Sequence, residues 1–171
     1  YYSPTLTYGS GSRQNVQLDF LPRRGPNGGR LVITKMELVV SADFTTGGTA
    51  ALAAGDLHTI ISQIEIKDAA GYRVNLTGEQ AKLFAQSDMR YRMPANGAAV
   101  AINTTNGLRT IRYPILFQRP LSYGKGDTRL PTDDLLNGGS IVVTWPAAAN
   151  MPWTGGGTGV INAGTTAILY V

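Results

Sequence analysis

Apolar residues recur at every second position along most of this 171-residue chain. A period of two marks a strand with one face buried and the other wet, because successive side chains of extended backbone point to opposite sides. In "NVQLDFL", Val16, Leu18 and Phe20 alternate with Gln17 and Asp19. "RLVITKMELVVSADF" keeps the habit for longer, with Val32, Thr34, Met36, Leu38 and Val40 on one side. "LHTIISQIEIKD" sets Ile60, Ser62, Ile64 and Ile66 against Ile61, Gln63 and Glu65. A glycine turn in "AAGYRV" then leads into a short strand from Tyr72 to Asn75, as in a hairpin. "LRTIRYPILFQRPLS" reads as a strand containing Pro114, which has no N–H for a ladder. Such a strand lies at a sheet edge, carries a bulge or breaks in two. "SIVVTW" and "TTAILYV" are two more strands, and a short one is expected at 98–102.

One segment has a different character. "LTGEQAKLFAQSDMR" offers Thr77 as an N-cap, Gln80 three residues on as its capping-box partner, and good helix formers afterwards. Residues 78–89 are predicted to form the one substantial helix, with Ala81, Leu83, Phe84 and Met89 turned inward. "PAAANMPWTGGGTGVINAG" is too rich in Gly and Pro for regular structure and is expected to be a long exposed loop.

Seven or eight strands, one helix, no repeat and no linker describe a single domain over 1–171. It has an extended N-terminal arm at about 1–12 and the Gly/Pro-rich loop at about 146–164. Strand spacing is uneven, with long excursions at 42–56, 76–107, 120–139 and 146–164. Greek-key crossings need such lengths, whereas a meander uses short turns throughout. The fold class expected is therefore all-β: a single jelly-roll (Greek-key) barrel or sandwich of about eight strands.

Composition narrows the function. The length suffices to bury a core without staples. Zero cysteines exclude a disulfide framework, a Cys-containing zinc site and a thiol nucleophile. No run of about 18 apolar residues occurs, and "YYSPTLTYGSGSRQ" lacks the basic-then-apolar order of a signal peptide, so the chain reads as soluble. The net charge is +4, but the eleven arginines are scattered and only Arg23 and Arg24 adjoin, so no specific nucleic-acid partner is expected. Charged residues make up 15%, against about 25% in a typical domain. Either Thr, Ser and Asn solvate this surface or much of it is covered by something.

Candidate chemistry is thin. Adjacent carboxylates Asp133 and Asp134 in "LPTDDLLNGGSIVVTW" suit a single helical turn with Thr132 or Asp133 at its N-cap and acids near its positive end. The additional oxygen ligands of a calcium loop are missing nearby. His58 is the only histidine, so no multi-histidine metal site exists, and no G-x-S-x-G elbow supports a triad; it reads as a satisfied or solvent-edge histidine. "GKGDTRL" and "TGGGTGV" lack the third glycine of a dinucleotide loop and read as turns. N-x-T at Asn75 and Asn103 is read as chance. Catalytic, metal and cofactor-binding residues are therefore expected to be none, and no small-molecule substrate is expected. Met151 and Trp153 in "NMPW" are candidates for an intersubunit anchor, for a carbohydrate platform, or for a lid over the end of their own barrel. Arg23 and Arg24 join them as candidate interface residues.

Together, "RQNVQLDFLPR", the "GEQAKLFAQSD" helix and "LPTDDLLNGGSIVVTW" before a late strand give the chain a likeness. It resembles the single jelly-roll major capsid proteins of icosahedral, internal-membrane-containing double-stranded DNA viruses, most of all the small major capsid protein of the Thermus phage type. The resemblance implies a virion protein made in the host cytoplasm, with barrels standing upright, self-associating into capsomers and tiling a membrane vesicle. It implies a second, larger capsid protein as partner, and no contact residue can be carried across. If the barrel stands over a membrane, Arg23 and Arg24 can touch anionic head groups. An excess of Arg over Lys and the lack of Cys suit a thermophile. The alternative is a carbohydrate-binding jelly-roll module or a viral spike or receptor-binding domain, with Trp153 as its platform.

Overall fold

A computed structural model describes residues 1–48, 50–52, 54–68, 70–88, 107–117, 130–136 and 138–171. Its first strands are β1 (Leu6–Thr7), β2 (Arg13–Gln17), β3 (Val32–Ile33), β4 (Lys35–Thr46) and β5 (Ala51–Leu52). There follow β6 (Gln63–Asp68), β7 (Gly71–Leu76), helix α1 (Gly78–Asp88), β8 (Gly107–Leu116), β9 (Leu130–Pro131) and helix α2 (Thr132–Leu136). The chain closes with β10 (Ser140–Thr144), β11 (Trp153–Thr154), β12 (Gly159–Ile161) and β13 (Thr166–Tyr170).

Four antiparallel pairs are nested one inside another: β6 with β7, β4 with β8, β2 with β10, and β1 with β13. The chain is thus one long ribbon doubled back on itself. Two further contacts, β13 with β4 and β10 with β6, roll that ribbon into two sheets. One sheet runs β1-β13-β4-β8, with β12 continuing the β13 side of β4, and the other runs β2-β10-β6-β7. Numbered in order, those eight strands read 1-8-3-6 and 2-7-4-5, which is jelly-roll connectivity. The expected fold class is the observed one.

The core lies between the inner faces of the two sheets. Met36, Leu38, Val40, Ala42 and Phe44 of β4 are fully buried, and Leu38 sits in register with Tyr113 of β8 and Leu169 of β13. Val16, Ile64, Ile66, Ile141 and Val143 answer from the other sheet, with Trp145 just beyond β10. Each such side chain contributes about 1.5–3 kcal/mol by leaving water. Pro114 falls within β8 opposite Glu37. Because the Phe117 N–H donates to the Thr34 carbonyl, alternation along the ladder makes Pro114 and Glu37 a non-hydrogen-bonded pair. The proline nitrogen then points away from β4, to the side where no strand pairs with β8 among the described residues, so its missing donor costs no ladder bond there.

Three expectations need correcting. Residues 54–60 form a 3₁₀ helix instead of the start of a strand, so the neighbours Ile60 and Ile61 are both buried and β6 begins only at Gln63. In α1 the capping box forms as expected: the Thr77 N–H donates to Gln80 Oε1 at 3.0 Å and the Gln80 N–H to Thr77 Oγ1 at 3.1 Å. Among its side chains that are described, however, Gly78 and Ala81 are the buried ones, while Leu83 is 62% and Phe84 42% exposed. The helix sits too close to the 3₁₀ turn for larger residues there, since a Cβ on Gly78 would lie 2.1 Å from the His58 carbonyl oxygen. Met89 and the strand expected at 98–102 lie outside the described residues.

The 146–164 segment, expected to be a loop throughout, contains β11, paired with β5, and β12, paired with β4. Glycine permits this because two backbones meet almost in contact. A Cβ on Gly157, which has φ +142°, would lie 2.0 Å from the Gly47 carbonyl oxygen. At the other end of the chain, the arm is stitched along β13, with the Ser3 N–H donating to the Leu169 carbonyl.

Gly78→Ala is expected to cost about 1–3 kcal/mol in urea unfolding through overpacking at the α1 contact. Gly29→Ala, whose added Cβ meets nothing within 4 Å, should leave the unfolding midpoint nearly unchanged.

Candidate functional site

The adjacent carboxylates belong to a structural tie. Both lie in the first turn of α2, and Arg30 reaches each of them: Nε to Asp133 Oδ2 at 3.7 Å and Nη2 to Asp134 Oδ1 at 3.7 Å. Thr132 does not cap the helix from outside. It lies within α2, and its N–H (3.1 Å) and hydroxyl (3.3 Å) both donate to the Leu31 carbonyl. The cluster thus fastens the 25–30 turn to the chain entering β10. Two half-exposed acids already facing one guanidinium are poorly placed to share a proton or a metal.

His58, within the 3₁₀ helix, is buried against α1 and β8. Its ring meets that of Tyr113 edge-on at 5.4 Å, and the Tyr113 hydroxyl donates to the His58 carbonyl at 2.8 Å. Burial, reinforced by the charge of Lys82, lowers its pKa from 6.5 to about 4, so the ring is neutral at pH 7. Its Nδ1 finds no hydrogen-bond partner among the described residues. Among the described residues no group of three or more His, Asp or Glu side chains comes together to hold a metal.

An ionic cluster that the sequence pattern did not disclose lies on the outer face of the β2-β10-β6-β7 sheet. Glu65 is only 4% exposed, yet it faces outward between the core residues Ile64 and Ile66. Arg13 of β2 hydrogen-bonds its carboxylate, and Lys67 lies 3.7 Å from the same oxygen while sitting 4.4 Å from the Tyr72 ring centroid. Desolvation pushes the Glu65 pKa up, but the hydrogen bond and charge of Arg13, with Lys67, outweigh it and leave the group below its usual value. Asp68 behaves likewise: desolvation is opposed by Arg73 and by the Ala70 N–H, and the net shift is downward. Carboxylates held ionised by neighbouring cations do not serve as general acids. Only the strand register, which brings residue 13 to residue 65 across β10, reveals the cluster.

The four candidate interface residues are not brought together. Arg23 and Arg24 are exposed in the turn after β2, where Arg24 bridges to Arg30 near the start of β4. Met151 is buried, 3.9 Å from the Thr59 hydroxyl. Trp153 is half-buried; its indole meets Phe44 edge-on at 6.0 Å and leaves no room for a Cβ on Gly159, which would lie 2.2 Å away. Lys35 and Phe44 are separated by about 30 Å along β4. The arginines and the tryptophan therefore mark opposite ends of the barrel.

The fold is similar to that of solved viral proteins. It superposes on the crystal structure of the STIV MCP, a viral major capsid protein, with a TM-score of 0.58 at 13% identity, covering 100% of this chain and 48% of that one. A chain from the atomic structure of Sulfolobus Turreted Icosahedral Virus gives a TM-score of 0.55 at 12% identity, covering 99% of this chain and 44% of the other. The chain thus spans about half the length of the proteins it matches, and at such identities the likeness is one of fold. No protein-family profile and no curated protein matches the sequence.

Burial of neutral His58 makes stability depend on acidity. Above about pH 6.5 the ring is neutral in both states; as pH falls towards 4 only the unfolded chain takes up the proton, so stability falls; below 4 the loss is complete. The full loss is about 3 kcal/mol. His58→Phe, which keeps a ring against Tyr113, should flatten this part of a pH series of urea unfolding curves; a series parallel to the wild type's would refute the assignment.

Proposed function

We propose that this chain is a structural subunit of an icosahedral virus shell and not an enzyme. One observation carries the reading: a complete jelly roll, both sheets included, that superposes over its whole length on a viral major capsid protein. The ionisable groups lend support, since each carboxylate cluster described is tied to arginine or lysine and the lone histidine is buried and neutral. The low charged fraction, 15%, suits a surface that neighbours cover.

In this reading copies of the chain associate into capsomers of a virion, and the chain is made in the host cytoplasm. The resemblance to membrane-containing viruses of the Thermus phage type adds two finer features. A second, larger capsid protein completes the lattice, and the end of the barrel bearing Arg23 and Arg24 faces an internal membrane. The exposure of both guanidiniums supports that orientation. Met151 and Trp153, at the opposite end, are the candidate contacts to neighbouring subunits. The carbohydrate-binding alternative gains little, because a free aromatic platform is wanted and the Trp153 indole lies against Phe44 and Gly159.

Light scattering on the purified chain across a concentration series should reveal dimers or larger species. A strictly monomeric protein whose glycan binding is abolished by Trp153→Ala would replace this function with the carbohydrate-binding one. For the membrane-facing end, Ala at both Arg23 and Arg24 should weaken salt-sensitive co-sedimentation with anionic liposomes by about 1 kcal/mol per residue. Equal binding by the double variant would remove that orientation.

A further inference from the structure

Exposed tyrosines are spread unevenly over the barrel. Among the described residues Tyr1 is 67%, Tyr2 69%, Tyr72 58% and Tyr170 45% exposed. All of them lie at the end that bears Arg23 and Arg24. Tyr170 closes β13 in register with Glu37, near the start of β4. Tyr2 bridges to Tyr170, with their rings 6.4 Å apart, and the Val171 N–H donates to the Tyr1 carbonyl at 2.9 Å. Tyr72 stands apart on the other sheet, opposite Lys67, which is itself opposite Ser140 at the start of β10. The Lys67 ammonium lies 4.4 Å from the centre of its ring. Tyr1, Tyr2 and Tyr170 thus form one cluster on the rim where the β1-β13-β4-β8 sheet meets the barrel end. Both tryptophans lie at the opposite end, Trp145 next to Thr144, which is in register with Arg13 and Gln63 at the starts of β2 and β6.

We propose that this cluster is an interfacial anchor, whose rings enter the head-group layer of a lipid bilayer when the barrel stands on it. The inference rests on the reading that the Arg23 and Arg24 end faces a membrane, and adds the groups that hold it there. A phenol has an apolar body and a polar tip, and tyrosine is accordingly enriched where a membrane meets water. Here adjacent rings, each left largely to water, can lower their apolar bodies together while their hydroxyls stay among the head groups. In a shell of upright barrels, lateral neighbours meet the flanks, and the end is left for what lies beneath.

Charge alone would hold this end weakly. Arg30 faces Asp133 and Asp134, Arg73 faces Asp68, and Lys35 and Arg112 both face Glu37. Arg23 and Arg24 have no such tie among the described residues, and exposed Asp19 in the same connection offsets part of their charge. A surplus of about one charge attracts anionic head groups modestly, and salt screens that attraction. Insertion of apolar rings does not depend on the charge of the lipid and is not screened. The two contributions are therefore separable by lipid and by salt.

The test is flotation of the full chain with vesicles over a lipid concentration series, in pure phosphatidylcholine and in a mixture with phosphatidylglycerol. Circular dichroism confirms that each variant is folded. The wild type should float with the neutral vesicles, and about 0.5 M salt should not remove it. Ala at both Tyr2 and Tyr170 should lower the partition coefficient about tenfold on both lipids. Tyr72→Ala, which removes an exposed ring from outside the cluster, should leave it unchanged. Tyr170→Trp reads depth: brominated lipid should quench the added tryptophan and spare Trp145 and Trp153 at the far end. If the double tyrosine variant floats as well as the wild type, the anchor is overturned. If the wild type binds only anionic vesicles and salt releases it, the anchor falls while the membrane-facing orientation stands. If it binds neither lipid, both fall. If the double variant loses association with a capsid protein and no vesicle binding, the occupant is a protein and lipid is overturned.

Discussion

Strand β4 is the member on which the rest of the structure depends. It pairs along its length with β8 on one edge and with β13 and then β12 on the other, and its inner face is buried from Met36 to Phe44. Its partners come from the two later quarters of the ribbon, so fixing β4 fixes the rolling of the whole chain. A register slip of one residue would turn Met36, Leu38 and Val40 to the outside and bring Lys35, Glu37 and Asp43 into the core. The alternation of this one segment therefore specifies pairing on both sides at once.

Elsewhere, close approach of backbones takes the place of side-chain packing. Gly78 lets α1 settle on the 3₁₀ turn at His58, and Gly157 lets the late loop lie against Gly47. At both contacts the glycines, numerous enough to suggest flexibility or phosphate binding, act by being small. Trp153 shows the same economy from the other side, since Gly159 vacates the space that its indole fills.

This division explains what was legible in the sequence. Period-two runs disclosed the inner faces of β2, β4 and β6, and the Thr77–Gln80 box disclosed α1, because both signals are local. The doublet Ile60–Ile61 misled because two adjacent buried residues satisfy a strand pattern on one side only, whereas a tight 3₁₀ turn at the barrel end buries both. Leu83 and Phe84 misled because hydrophobicity suggested an inward face while the contact selected the smallest residues. The carboxylates Asp133 and Asp134 were legible as part of a helical turn, but their partner Arg30 lies a hundred positions away, and Arg13 and Glu65 meet only through register.

A fold shared at 13% identity joins this chain to a capsid protein through architecture alone, so the role is best tested on the particle itself. Electron cryomicroscopy of virions containing this chain is the most direct measurement. The account predicts an icosahedral shell whose repeating density accepts the two-sheet barrel as a unit. A shell with no place for that barrel, or a chain recovered only outside the particle, would contradict it.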